Sequence, residues 1–377
     1  MSTTVGVGAG VSTLRRLISG ALAVLVFTAS AVLVSDRAPG ATAPGPGDAV
    51  AVASAQHFLA SYTEADGRVV RRDQGGDTVS EGQAYGMLLA VAAGDRTRFT
   101  SIWGWAKAHL LRPDGVMSWR WRDGGVLDRE SAADADLDAA RALVLAGDRF
   151  GDPTLAQDGR TMATAVLDHE TVQTPRGLVL TAGTWAGTAP WVVNPSYFSP
   201  RATTELAAAT GDPRWTQLRA GGTAVTQALL AEHPLPPDWA QVNTSGEVSA
   251  VPAPDGAAPR FSFDAARVVP RTAESCDPTT RALAADTARQ LDRPVTELRG
   301  SYTLDGTATV DWQHPVVLAA SAAAHTAVGD VGGAAAALDA AAALDDHAPS
   351  YYGGAWVALG RVLLQTDLLG SCSGAMA

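Results

Sequence analysis

The sequence predicts an all-α protein in which twelve helices form six hairpins that close into a two-layered barrel. Apolar residues recur at helical spacing in alanine- and leucine-rich segments, which Gly, Asp and Pro separate. Short connections alternate with long ones that are rich in Gly, Pro and Trp. Segments with the Val, Ile and Thr alternation of strands are almost lacking. Pieces near residues 177–181 and 300–310 are exceptions and could form hairpins within the long loops.

The alternating connections also predict how the helices are oriented. When hairpins with short turns close into a ring, every long loop lies on one face, and the helix after each long loop points its N-terminus toward that face. The predicted helices cover residues 48–64, 81–93, 96–111, 133–148, 153–168, 200–209, 213–231, 264–275, 278–292, 312–328, 331–344 and 351–367.

Composition limits the classes of function. By length the 377 residues could form two domains, although large barrels form one. Hydrophobic residues make up 46% of the chain, which is enough for a sizeable core. The formal net charge of −11 argues against a nucleic-acid partner, because phosphate binding requires a basic surface. An acidic surface suits a neutral or cationic ligand.

Residues 1–47 have the features of an export segment. Arg15 and Arg16 precede an uncharged apolar run over residues 17–35, and a Pro- and Gly-rich tether follows. The run is close to the roughly 20 residues that cross a bilayer, so a cleaved signal peptide and an uncleaved membrane anchor both remain open. In either case we expect residues 48–377 to be secreted or held at the outer face of the cytoplasmic membrane.

The chain contains two cysteines, Cys276 and Cys372. An oxidising compartment would allow a disulfide between the C-terminal tail and the loop after the helix over 264–275, and two unpaired thiols are the alternative. Two thiols without nearby histidines do not form a zinc site, and the seven histidines lack the spacing of paired ligands. We therefore expect no metal and no cofactor.

Acidic residues stand where long loops lead into helices. Glu81, Asp134 and Asp264 have this position, and Asp311 has it at a fourth helix. Such an acid often caps free N–H groups, which would explain Asp134 equally well, but Ser80 already fills the cap position before Glu81. Two carboxyl groups in different environments can act as the acid and base of glycoside hydrolysis. The sequence therefore favours a polysaccharide-cleaving enzyme.

Tryptophans concentrate around the same loops. Their flat faces can stack on pyranose rings, and packing of the loops is the alternative, which we expect for about half of them. Four tryptophans within helices are predicted to be core residues, namely Trp103, Trp105, Trp215 and Trp356. Six lie in or beside long loops, namely Trp119, Trp121, Trp185, Trp191, Trp239 and Trp312. Of these we predict that Trp119, Trp121, Trp185 and Trp312 bind substrate.

Several motifs carry a resemblance to a known family. The most specific is Ser-Glu-Gly-Gln-Ala-Tyr-Gly-Met at residues 80–87, and others lie at 66–69, 77–79, 134–138, 194–198 and 351–353. The stretch at 134–138 would be weak by itself. Over about 50–370 the chain resembles a family 8 glycoside hydrolase, a group of bacterial endo-β-1,4-glucanases, chitosanases, lichenases and xylan-active enzymes. The resemblance implies an (α/α)6 barrel, in agreement with the twelve helices.

The resemblance also implies a role for each matched residue. Glu81 would be the general acid that protonates the leaving oxygen, and Asp264 the general base that activates water. Asp134 would hold the sugar at the cleavage point, while Tyr197 and Arg267 would orient the base and its water. The family inverts the anomeric centre, which requires carboxyl groups about 6.5–9.5 Å apart.

Three motifs depart from the family pattern. Ala133 stands where Ser or Thr is usual, Phe263 stands where Tyr is common, and Val-Pro at 269–270 replaces Pro-Trp. The acids are intact, so the departures concern the affinity of the sugar subsites near the base.

The predicted function is inverting hydrolysis of internal β-1,4 bonds in a cellulose-like β-glucan by a monomer. Chitosan is the alternative substrate, because an acidic groove would attract protonated glucosamine. A different class of function is a non-catalytic component that binds polysaccharide in a glucan-secretion assembly. Release of reducing ends from carboxymethylcellulose would distinguish the enzyme from the binding component.

Overall fold

The structure is a computed structural model that describes residues 46–254 and 256–372. The predicted signal or anchor, which falls within residues 1–45, lies outside the described residues. Within the described ranges, none of the helices combines the length and the apolarity that crossing a bilayer requires.

Thirteen α-helical segments lie in the described residues and correspond to the twelve predicted helices, one of which is divided. They are α1 (Pro46–Tyr62), α2 (Ser80–Ala93), α3 (Arg96–His109), α4 (Ala133–Phe150), α5 (Pro153–His169), α6 (Pro200–Thr210), α7 (Arg214–Glu232), α8 (Phe263–Ala266), α9 (Val268–Ala273), α10 (Pro278–Leu291), α11 (Pro315–Ala327), α12 (Val331–His347) and α13 (Tyr351–Gln365).

The helices form two concentric layers. In the inner ring α2 packs on α4, α4 on α6, α6 on α9, α9 on α11, α11 on α13, and α13 returns to α2. The inner helices are surrounded by protein, so they are apolar on most sides; residues 315–324 of α11 are all buried. The helices α1, α3, α5, α7, α10 and α12 form the outer layer, where α5 buries one face and exposes the other. The predicted (α/α)6 barrel is confirmed.

The helix predicted over 264–275 is divided into α8 and α9. Pro270 has no N–H group to donate to the carbonyl oxygen of Ala266, so helical hydrogen bonding is interrupted near this point. Arg267 lies at the junction between the two segments and retains helical dihedral angles. The break was not predicted, although the proline was visible in the sequence.

Two predictions about helix starts are wrong. The helix predicted to begin at 312 begins at Pro315, because His314 Nδ1 accepts a hydrogen bond from the Val316 N–H at 3.2 Å and acts as its cap. Asp311 therefore lies in the preceding loop, where it is exposed. Ser80 is the first residue of α2, and within the described residues its hydroxyl makes no capping bond.

Short strands occur in the long loops. They are β1 (Thr78–Val79), β2 (Arg120–Arg122), β3 (Gly125–Asp128), β4 (Thr171–Thr174), β5 (Gly177–Leu180), β6 (Trp191–Val193), β7 (Ala240–Val242) and β8 (Val248–Ala250). The β4–β5 hairpin matches the one predicted near 177–181. In the second predicted piece, 300–310, Tyr302 forms single bridges to Phe261 and Ala308. The sheets β1–β2–β3 and β6–β7–β8 were missed, because strands this short show too little alternation.

Cys276 and Cys372 form a disulfide, with Cα atoms 5.3 Å apart, which is one of the two alternatives left open. The bond ties the C-terminal tail to the loop after α9. Arg201 of α6 reaches the same place, since its Nη1 lies against both sulfur atoms and its Nη2 donates to the Ser371 carbonyl at 3.0 Å.

Candidate active site

The three predicted acids converge on one cation, Arg267. Its Nη1 donates to Glu81 Oε2 and to Asp134 Oδ2, each at 2.8 Å. Its Nη2 donates to Asp264 Oδ1 at 2.6 Å. The same Nη1 also lies 3.0 Å from the hydroxyl of Tyr85, one turn after Glu81 on α2. The structure thus brings together acids that are far apart in the chain.

Each acid is the second residue of an inner helix: Glu81 of α2, Asp134 of α4 and Asp264 of α8. The inner helices direct their N-termini to one face, and the partial positive charge of a helix N-terminus favours a carboxylate there. Asp134 has a local backbone contact as well, because its Oδ1 accepts from the Ala135 N–H at 2.9 Å. Its carboxylate therefore binds both its own helix start and the shared cation.

The acids differ in their access to the barrel face. The exposed fraction of the side chain is 20% for Glu81 and 32% for Asp264, against 5% for Asp134 and 1% for Arg267. Arg267 and Asp134 consequently form the floor, and Glu81 and Asp264 stand above it, where a ligand can reach them.

The pKa of Glu81 lies near neutral pH. Burial is the largest cause of the rise of this pKa to about 7; Arg267 acts against the rise, and Asp134 and Asp264 act with it. The Tyr351 hydroxyl donates to Glu81 Oε1 at 3.1 Å, which also lowers the pKa. A carboxyl group with such a pKa is suited to proton donation near neutral pH.

The pKa of Asp264 is also raised, and burial is the largest cause. Arg267 acts in the opposite direction and favours the ionised form, as expected, but it does not outweigh burial. Asp238 raises the pKa further and the Asn194 side chain lowers it. The environments of Glu81 and Asp264 therefore differ in neighbours and exposure.

Asp238 positions Asp264 and was not predicted. Its Oδ1 accepts hydrogen bonds from the Ser262 and Ala265 N–H groups, each at 2.9 Å. These N–H groups lie at the start of α8, a helix of four residues that needs an external acceptor there. Asp238 comes from the loop after α7, so no local motif in the sequence links it to Asp264.

The ring of Tyr197 packs against the guanidinium of Arg267. The Arg267 Cζ atom is 5.4 Å from the centre of the Tyr197 ring, a cation–π arrangement. Trp239 packs against Tyr197 at 6.2 Å between ring centres. Tyr197 therefore supports the cation that contacts Asp264.

An aromatic cavity of about 340 Å³ lies beside Tyr197 and the residues that precede α4. It is lined by the rings of Trp119, Trp185, Tyr197 and Trp239, and by Ser131 and Ala132, which immediately precede α4. Trp185 exposes 43% of its surface, which is unusual for so large a ring. The position of Trp239 in a long loop was noted in the sequence, but it was not among the predicted binding residues.

A second aromatic cluster adjoins Asp264. Trp312 stacks on Phe263 at 5.9 Å between ring centres and 23° between planes, and exposes 44% of its surface. Tyr352 fixes the backbone here, since its hydroxyl donates to the Phe263 carbonyl at 3.1 Å. The Phe263 ring packs against His314 at 4.6 Å.

The structure places Trp121 apart from the cavity that Trp119 lines. Its ring packs on Trp105 at 5.3 Å, and Arg68 covers it at 5.0 Å. The pairing of β2 with β3 contains a β-bulge in which Leu127 of β3 is the extra residue, and the Trp121 ring lies against α3. The four tryptophans predicted to be core are buried, and Trp191 packs on the loop core around β6–β8.

The fold and the site define an (α/α)6-barrel protein with an acid–arginine centre at one end. Residues 46–290 match the family described as "Glycosyl hydrolases family 8". The match covers more than half of the chain, and the chain belongs to this family. The resemblance stated from its motifs is confirmed.

Individual relatives are named as endoglucanases. The chain is 38% identical over 218 residues to a probable endoglucanase of Novacetimonas hansenii, covering 56% of this chain and 63% of that protein. It is 29% identical over 220 residues to an endoglucanase of Cellulomonas uda, covering 56% of this chain and 60% of that protein. The chain thus spans less than two thirds of the length of these curated relatives.

Solved structures share the barrel. The endo-β-1,4-glucanase CMCax from Acetobacter xylinum has a TM-score of 0.71 and 31% identity, covering 83% of this chain and 97% of that chain. A β-1,3-1,4-glucanase from Paenibacillus sp. X4 has a TM-score of 0.76, covering 87% and 95%, but its 20% identity supports the fold alone.

Proposed function

We propose that the protein is an inverting glycoside hydrolase that cleaves internal β-1,4 bonds of a cellulose-like β-glucan. The observation that carries the proposal is the convergence of Glu81 and Asp264 on Arg267, at a face that also presents exposed tryptophans. Membership of glycosyl hydrolase family 8 and the endoglucanase names of relatives support the reaction class.

In this mechanism Glu81 is the general acid. Its pKa of about 7 leaves it substantially protonated near neutral pH, so it donates a proton to the glycosidic oxygen as the bond from that oxygen to the anomeric carbon breaks. The leaving sugar departs with a new hydroxyl group. Glu81 becomes a carboxylate, which Arg267 and the Tyr351 hydroxyl stabilise by hydrogen bonds.

Asp264 is the general base. As a carboxylate it takes a proton from a water molecule while the water oxygen bonds to the anomeric carbon from the opposite face of the ring. Inversion requires space for that water, and therefore carboxyl groups about 6.5–9.5 Å apart. Glu81 and Asp264 bind different nitrogen atoms of the Arg267 guanidinium, which supports an arrangement in which they do not contact each other.

Asp134 lies deeper than the other two acids and is proposed to hold the sugar at the cleavage point. Its Oδ1 and Oδ2 bind the Ala135 N–H and Arg267, so the carboxylate is fixed before a sugar enters. A sugar hydroxyl that donates to it would gain a charge-assisted hydrogen bond without a cost for ordering the acceptor.

The aromatic clusters are proposed to bind sugars on both sides of the cleavage point. Trp119, Trp185 and Trp239 form a cluster that adjoins Asp134, and Trp312 forms one that adjoins Asp264. A glycan that contacts both clusters crosses the acids, which supports cleavage of internal bonds. The packed Trp121 is left out of this proposal, although we predicted from the sequence that it binds substrate.

Chitosan remains the second candidate substrate. Asp128 and Glu130 line the same aromatic cavity of about 340 Å³ and would attract the ammonium group of a glucosamine unit. The two substrates are separated by comparing initial rates on carboxymethylcellulose, lichenan, xylan and chitosan, together with the sizes of the products.

The test of the reaction uses Glu81→Gln and Asp264→Asn, with Asp148→Asn at the exposed C-terminal end of α4 as the matched control. We expect both site variants to lose hydrolysis by at least about a thousandfold with unchanged circular dichroism, and the control to retain it. Near-normal turnover in either site variant rejects the assignment. Glycan binding by the wild type without release of reducing ends would favour the non-catalytic component of a secretion assembly.

We also propose export of the barrel on the basis of the charged and apolar pattern within residues 1–47. Fractionation of cells that express the full chain would distinguish secretion from attachment to the membrane.

A further inference from the structure

Two inner helices carry matching rows of charged residues beneath the acids. In each row the residues are spaced i, i+4 and i+7, which places them on one side of a helix. The row on α4 is Asp134, Asp138 and Arg141, and the row along α8–α9 is Arg267, Arg271 and Glu274.

The rows pair one to one. Arg267 binds Asp134 as described, Arg271 Nη1 donates to Asp138 Oδ1 at 3.0 Å, and Arg271 Nη2 contacts Asp138 Oδ2. Arg141 donates to both oxygens of Glu274, each at 3.1 Å. In every pair the partners are 133 positions apart, so the two helices run parallel and in register. We call these the top, middle and bottom pairs.

The pairs differ in their balance of charge. The middle pair is neutral as a unit, and each side chain exposes 2% of its surface. In the bottom pair, Arg141 also binds Glu205 at 2.7 Å, and Glu205 binds Arg201 at 2.5 Å, so two arginines meet two glutamates. In the top pair, Arg267 meets three carboxylates. Uncompensated negative charge is thus confined to the catalytic end.

The middle pair is linked to α2, the helix that bears Glu81, through Trp356 of α13. The Arg271 Cζ atom lies 5.7 Å from the centre of the Trp356 ring. Trp356 packs edge-on against Tyr85 at 5.7 Å, and the Tyr85 hydroxyl lies 3.0 Å from Arg267 Nη1. A change in the position of Arg271 can therefore reach the top pair through α9 and through α2.

We propose that Asp138 and Arg271 are positioning residues, which hold α4 and α8–α9 in register and confine the uncompensated charge to the catalytic acids. The proposal rests on the proposed function, since its first readout is hydrolysis. Neither residue contacts the acids Glu81 and Asp264 in the described structure, so both act through Arg267 and through charge.

The charged and titratable groups that face the three pairs from neighbouring elements are Glu81 and Tyr85 of α2, Tyr197 before α6, Arg201 and Glu205 of α6, Asp238 before α8, Asp264 of α8, and Tyr351 and Tyr352 of α13.

The test compares variants that leave opposite charges in the middle pair. Asp138→Asn leaves the Arg271 cation unpaired, which favours ionised Glu81, so the basic limb of the kcat/KM profile moves to lower pH. Arg271→Gln leaves the Asp138 carboxylate unpaired and moves this limb to higher pH. We expect shifts of about half a pH unit or more in opposite directions. The double variant, in which the pair is again neutral, returns the limb to its wild-type position.

A purely structural role predicts a different pattern. Loss of folded protein lowers the amplitude of the profile but does not move its limbs, because the position of a limb is independent of the active fraction. Limbs that stay in place or move together in both single variants overturn the proposal. Glu274→Gln in the bottom pair is the matched control, and we expect a smaller shift because it is one turn further from the acids.

Two measurements keep the test decisive. Where a single variant does not fold, Arg271→Lys retains the charge, and its kcat is expressed per folded molecule so that loss of folded protein does not count. A fall in this kcat of at least about tenfold with an unmoved limb supports positioning, and an unchanged kcat overturns it. Titration of the Glu81 carboxyl by ¹³C NMR in the same variants gives the comparison without a substrate. Inactivity of the wild type would reject the proposed function, while opposite NMR shifts would still support the middle pair.

Discussion

Arg267 donates a hydrogen bond to Glu81 at 2.8 Å, yet the pKa of Glu81 is raised to about 7. A neighbouring cation ordinarily favours the ionised carboxyl group. In this site the cation is shared with Asp134 and Asp264, and burial penalises every charge in the cluster. A pKa near neutral pH suits the proposed role of Glu81 as proton donor, and its side chain is exposed enough to meet a ligand.

Replacing Arg267 by lysine tests whether the shape of the cation matters as well as its charge. Arg267→Lys retains the positive charge but loses the planar fork that reaches three carboxylates at once. We expect kcat on a soluble β-glucan to fall by about a hundredfold. Arg361→Lys is the control, because Arg361 is also a buried arginine but pairs with the exposed Asp339. A kcat for Arg267→Lys within threefold of wild type would contradict this account.

Tyr351 tunes the proton donor through a single hydrogen bond. Tyr351→Phe removes a donor that favours ionised Glu81, so the pKa of Glu81 rises and the basic limb of the pH–activity profile moves to higher pH. Tyr352→Phe is the control. The hydroxyl that it removes donates to the Phe263 carbonyl and not to Glu81, so this variant should leave the limb in place. The same shift in both variants would show that the effect does not come from the bond to Glu81.

Trp312 and Trp121 have different roles in this account, although both were predicted to bind substrate. Trp312→Ala removes an exposed platform beside Asp264, so KM should rise by about tenfold with little change in the urea midpoint. Trp121→Ala removes a ring packed on Trp105, so the midpoint should fall while KM changes little. Steady-state kinetics and urea unfolding of both variants measure the contrast, and identical behaviour of the two would contradict the assignments.

A second buried acid pair predicts how stability depends on pH. Burial raises the pKa of Glu170 to about 8, and burial and Glu170 raise the pKa of Asp136 well above its usual value. An acid whose pKa is higher in the folded state stabilises the fold below its unfolded pKa, near 4.5, and loses this contribution as pH rises through about 8. Stability should therefore decline over this window.

Glu170→Gln should reduce that decline, because a neutral amide does not titrate. The quantity to compare is the free energy of unfolding of the variant minus that of the wild type. We expect this difference to be more positive at pH 8 than at pH 5, by on the order of a few kcal/mol. Urea unfolding at both pH values measures it, with the exposed Glu232→Gln as the control. An equal difference at the two pH values would contradict the assignment of Glu170.

The fold and part of the site could be predicted because they depend on local pattern. Alternating short and long connections predicted the barrel, and the position of an acid at a helix start predicted that Glu81, Asp134 and Asp264 would meet. The same pattern gave a wrong prediction for Asp311, because His314 caps the helix and α11 therefore starts at Pro315, beyond Asp311.

Features that depend on distant contacts could not be predicted. Asp238 reaches α8 from another loop, and the role of Tyr351 comes from a hydroxyl group that meets Glu81 across 270 positions. The packing of Trp121 depends on Trp105 of α3 and on Arg68, which lie outside its own strand. The pairing of Asp138 with Arg271 depends on the register between α4 and α8–α9, which the sequence of either helix does not determine.

The stereochemistry of the first product tests the central claim most directly. Hydrolysis of a β-linked cello-oligosaccharide can be followed by ¹H NMR before the new reducing end mutarotates. A water activated by Asp264 on the face opposite Glu81 produces the α-anomer first, and this account predicts that result. Initial release of the β-anomer would mean that a carboxylate attacks the sugar as a nucleophile, and it would contradict the roles given to both residues.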